Sequence, residues 1–91
     1  MDKRLMIAIL QVVKDSQGEY VDAPMIQIQI ERGEVLFEKI ECHLRKALNE
    51  KLVMSVEGHS FHDLAIMVTR LTCRGERVLE ELKREIRGVE L

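Results

Sequence analysis

Between Leu36 and Val56 the apolar residues change period without a break. Leu36, Ile40, His43, Leu44, Ala47 and Leu48 recur every three or four positions, the spacing that lines one face of an α-helix. Leu52-Val53-Met54-Ser55-Val56 follows at once as a short run suited to a strand. A helix that feeds a strand points to an α+β fold in which both share one core; a mostly helical bundle is the alternative. With 91 residues that core is small, since a domain of this size buries roughly 60 to 65% of the surface its unfolded chain exposes.

The flanking segments complete the expected order. From Asp2 to about Asp15, the residues Leu5, Met6, Ile9, Leu10, Val12 and Val13 gather on one helical side, and Ser16-Gln17-Gly18 supplies a stop. Ile7 lies roughly opposite that stripe and is expected as an isolated exposed residue. In Tyr20 to Arg32, Pro24 could open a short helix, but Ile26, Ile28 and Ile30 alternate with Gln27, Gln29 and Glu31, so extended structure is expected. The central helix spans Glu34 to Glu50. A β-hairpin follows, with a strand at Leu52 to Val56, a turn at Glu57-Gly58-His59-Ser60 and a second apolar segment from Phe61 to Leu71. Thr72 caps a closing helix with Gly75, Val78, Leu79, Leu82, Ile86 and Val89 at helical period. No internal repeat or linker divides the chain, so one domain over residues 1–91 is expected.

Composition removes several function classes. Fourteen Lys and Arg against sixteen Asp and Glu give a formal charge of −2, so there is no global attraction to a polyanion. With 46% hydrophobic and 33% charged residues and one proline, the chain is a globular domain rather than a disordered tail. No apolar run approaches the ~20 residues that cross a bilayer, and Asp2, Lys3 and Arg4 open no signal peptide, so a cytoplasmic protein with no membrane partner is expected. Cys42 and Cys73 are too few for a stapled secreted module and are expected as free thiols.

Three stretches carry a family resemblance: Met6-x2-Ile9-Leu10-x2-Val13, Ile40-x2-His43-Leu44-x3-Leu48-x3-Leu52-Val53, and Arg70-Leu71-Thr72-x2-Gly75-x2-Val78-Leu79. Together they resemble a winged-helix domain, in particular small bacterial and phage-associated proteins with this element order. The resemblance implies an α+β winged-helix-like domain with three main helices and a C-terminal-side β-hairpin, residues 20–32 being atypical for the second helix. It also implies that the central helix enters the major groove of duplex DNA while the hairpin around His59 approaches the backbone or minor groove.

Charge placement qualifies that implication. Glu34, Glu38 and Glu41 sit at the start of the central helix, where acids suit the helix dipole and oppose phosphate, while Lys39, Arg45, Lys46 and Lys51 lie mainly toward its end. Arg70, Arg74, Arg77 and Arg84 share one side if the last helix is continued back into the strand, with Glu81 interrupting them. They form either an ordinary solvated face or a docking surface. Candidate nucleic-acid or partner contacts are therefore Lys39, Arg45, Lys46, His59, Arg74 and Arg77.

The metal and enzyme readings are weaker. Cys42, His43, His59, His62 and Cys73 are zinc-competent types without a metal-site spacing, and His43 on the apolar stripe reads as a buried or boundary histidine held by packing or by a side-chain-to-backbone bond. No cofactor, metal or catalytic residue is expected, because no phosphate-cradling glycine motif is present and no thiol–imidazole pair is placed by sequence. Two functions follow: a regulatory winged-helix module that binds duplex DNA weakly or as an oligomer, or an accessory protein-interaction module on the same scaffold. A homodimer is compatible with either.

Overall fold

The computed structural model describes residues 2–16, 18–31, 37–55 and 67–90. Its elements are α1 (Lys3–Asp15), α2 (Ala23–Glu31), α3 (Phe37–Asn49), β1 (Val53–Ser55), β2 (Val68–Leu71) and α4 (Cys73–Glu90). The strands pair antiparallel, with Val53 opposite Leu71, Met54 opposite Arg70 and Ser55 opposite Val68. The skipped residue, Thr69, makes a bulge that turns β2 toward α1, where its carbonyl lies 3.2 Å from the Ser16 hydroxyl.

The packing is that of a small winged-helix-like α+β domain. α1 lies at its centre, packed against α2, α3, β2 and α4. Met6, Ile9, Leu10 and Val13 of α1 bury their side chains with Ile26 of α2, Ile40 and Leu44 of α3, Leu52, Val68 of β2 and Leu79 of α4. Val21 adds a bridge on the free edge of β2: its amide donates to the Val68 carbonyl at 2.8 Å and its carbonyl accepts from the Val68 amide at 2.9 Å.

Two expectations change. Residues 23–31 are helical rather than extended. Asp22 caps this helix by accepting the Met25 amide at 3.0 Å, and Pro24 in the first turn has no amide for a helical bond to miss. The alternating isoleucines also satisfy a helix, because Ile26 and Ile30 are four apart and face the core, while Ile28 points outward. Ile7, expected exposed, is half-buried and packs against the core.

The helix ends are well specified. Asp2 caps α1 by accepting the Leu5 amide at 3.1 Å. α3 ends in a Schellman turn: Lys51 adopts φ 60°, the Leu52 amide reaches the Ala47 carbonyl at 2.8 Å, and the Lys51 amide reaches the Leu48 carbonyl at 3.1 Å. Thr72 caps α4 as expected, accepting the Gly75 amide at 3.0 Å while its hydroxyl donates to the Lys51 carbonyl at 2.6 Å. The end of α3 and the start of α4 therefore meet at one junction.

Candidate interaction surface

The positions on α3 expected to read a groove carry neutralised cations. Lys39 lies 3.1 Å from the Asp2 carboxylate, Arg45 lies 3.7 Å from Glu41, and Lys46 lies 2.8 Å from Glu50. The last two are i,i+4 pairs on the helix surface. Such solvent-exposed pairs add little to stability, yet each places an anion beside the cation that a phosphate would need. The hydrogen bond from Lys46 to Glu50 raises the Lys46 pKa, keeping the ammonium charged but occupied.

Arg74 and Arg77 differ. Both are exposed near the start of α4, and neither forms an ion pair among the described residues. Arg70 belongs to β2, so the helical register assumed for the arginine side does not extend back to it. The α3–α4 junction brings the ends bearing Lys46 and Arg74 together, whereas Lys39 is two turns away beside Asp2. His59 lies outside the described residues, as do Glu34, Leu36, His62 and the expected hairpin turn.

His43 is structural. Its Nε2 accepts the Asp2 amide at 3.1 Å and its Nδ1 lies 2.8 Å from the Lys39 carbonyl. A carbonyl only accepts and an amide N–H only donates, so Nδ1 carries the proton and the ring is the neutral tautomer. Nε2 thereby ties α3 to the start of α1, while Nδ1 is held by the backbone of its own helix. Cys42 and Cys73 are exposed free thiols on separate helices, and no group of three or more potential metal ligands occurs among the described residues.

A surface outside the sequence-based candidates appears on the other side of α1. The last turn of α1, the segment after it and the start of α2 enclose a cleft of about 490 Å³. Val12 and Val21 are its buried parts, the exposed Tyr20 and Met25 its apolar walls, and Asp15 and Glu19 its exposed acids. Beyond Met25, Ile28 is 73% exposed, although it is among the most hydrophobic residues of the chain. The signal for this surface was Asp22-Ala23-Pro24: read as a helix start, it puts Met25 and Ile28 on the outward side of α2.

Comparison with family models, curated proteins and solved structures finds no match.

Proposed function

We propose that the chain is an accessory protein-interaction module built on a winged-helix-like scaffold. The observation that carries this reading is the pairing of Lys39, Arg45 and Lys46 with Asp2, Glu41 and Glu50, which leaves the helix in the groove-reading position without a free cation among those three. Counterion release by unpaired Lys and Arg supplies most of the affinity of non-specific duplex binding, so a self-neutralised face forfeits it. Tyr20, Met25 and Ile28 instead supply exposed apolar area of the kind that anchors protein interfaces.

A second reading, weak duplex binding, is favoured by Arg74 and Arg77, whose guanidinium groups are exposed and unpaired among the described residues. Anisotropy of a labelled duplex of about 20 base pairs at about 20 mM salt separates the two. The interaction module predicts no saturable change. Saturable binding that weakens with salt and disappears in Arg74→Glu/Arg77→Glu would install the duplex reading in its place. Crosslinking in the native host supplies the positive arm: one specific protein recovered with wild type and lost with Ile28→Asp.

A further inference from the structure

We propose that the cleft between the end of α1 and the start of α2 receives an arginine side chain of the partner protein, with an adjoining aliphatic residue of that partner covering Met25 and Ile28. This rests on the reading of the domain as an interaction module and specifies the chemistry of what it binds.

Charge and shape select that occupant. Asp15 and Glu19 both line the cleft, and neither pairs with a cation among the described residues. Asp15 accepts one hydrogen bond, from the Gln11 amide at 3.0 Å, which leaves most of its acceptor capacity open. Asp15 is also the last residue of α1, at the negative end of the helix dipole, where an acid is unfavourable. A carboxylate against its helix-end preference, with a second acid four residues on, creates a negative mouth that a bound cation relieves. Arg70, the chain's own arginine at this edge, packs over Gly18 and ion-pairs with neither carboxylate in the described structure.

The wall favours a guanidinium over an ammonium. Tyr20 is 57% exposed and lines the same cleft as the two acids. A planar guanidinium can stack on an aromatic ring while its N–H fork donates to carboxylates, whereas an ammonium is compact and more strongly hydrated. Pro24, Met25 and Ile28 on the outer side of α2 are exposed and uncharged, so the residue beside the arginine meets apolar surface. At about 490 Å³ the cleft lies within the size range of small-ligand pockets, ample for one side chain.

The single tyrosine and the absence of tryptophan make Tyr20 the fluorescent reporter of its own site. The probes are acetyl-Leu-Arg-Leu-amide, its lysine counterpart and its citrulline counterpart, which keeps the shape of arginine without the charge. A saturable change in Tyr20 emission is expected with the arginine peptide, about tenfold weaker with citrulline and weaker with lysine. Asp15→Asn and Glu19→Gln should each weaken the arginine peptide about three- to tenfold, with circular dichroism unchanged. Equal binding of the citrulline or lysine peptide, or no saturable response to the arginine peptide at millimolar concentration, overturns the assignment. The parent reading fails separately. Loss of the peptide response with Ile28-dependent partner capture intact sinks only the arginine cleft, while duplex binding through Arg74 and Arg77 sinks the interaction module.

Discussion

Gly75 shows how one atom can outweigh a helix propensity. It lies in the first turn of α4, where replacing glycine by alanine ordinarily stabilises a helix by up to about 1 kcal/mol. Here an added Cβ would overlap the Leu52 carbonyl oxygen and stand 2.9 Å from its carbon. That carbonyl is fixed, because it accepts the Thr72 amide at 3.0 Å within the α3–α4 junction. Backbone must therefore move. Gly75→Ala is expected to lower stability by about 1 to 3 kcal/mol, read as a lower urea midpoint; a higher midpoint would refute the close approach. The sequence shows Gly75 as one member of a helical stripe, and nothing in its spacing tells that a carbonyl from residue 52 lies against it. Lys51 is similar: its left-handed φ of 60° follows from the Schellman turn, which a glycine at that position would have announced and a lysine does not.

At the scale of elements, α1 and α3 are joined through one short constellation. Asp2 caps α1 with its carboxylate, pairs with Lys39 of α3 through the same group, and donates its backbone amide to His43 of α3. The Leu5 amide, followed by the Lys39 ammonium, holds the Asp2 carboxyl below its usual value. A depressed folded-state pKa means that the stabilisation is present in full above the unfolded value, near pH 3.8, and is lost as pH falls through the folded value. Asp2→Asn keeps a capping oxygen and removes the charge. It should flatten the acid limb of a stability-against-pH curve below about pH 4, with a difference at neutral pH of about 0.5 kcal/mol, because the pair is screened by solvent. Equal acid limbs in the two proteins would remove Asp2 from this role. α2 teaches the complementary lesson. Its period-two isoleucines favour a strand by pattern, yet the Asp22 cap and the contacts of Ile26 and Ile30 with the core make it a helix. Local pattern was ambiguous there, and packing against α1 and α3 decided it.

For the whole molecule, the segment between α1 and α2 is fastened to the sheet by the Val21–Val68 bridge and by the Ser16 hydroxyl on the Thr69 carbonyl. Val21 exchanges both backbone bonds with Val68, and both side chains are buried, so this bridge can open only with loss of core packing. Hydrogen exchange should therefore find the Val21 and Val68 amides protected together, at a free energy close to that of global unfolding. Exchange of Val21 at the rate of an exposed loop would show that α2 is held without the bridge. The same fastening places Tyr20 next to the end of α1 and builds the cleft that a linear reading did not find.

The apolar periods of the chain by themselves determined α1, α3 and α4, the Thr72 cap, the order of helix and strand and the place of His43 on a buried face, because these depend on residues three or four apart, or on a single turn. Tertiary structure decided the rest. The helicity of α2, the burial of Ile7, the Gly75–Leu52 contact, the pairing of Lys39 with Asp2 and the Asp15–Glu19–Tyr20 cleft each require groups from different elements to meet. The helix period says which side of a helix is apolar, but not which neighbour lies against it, and the charges that govern binding are set by that neighbour.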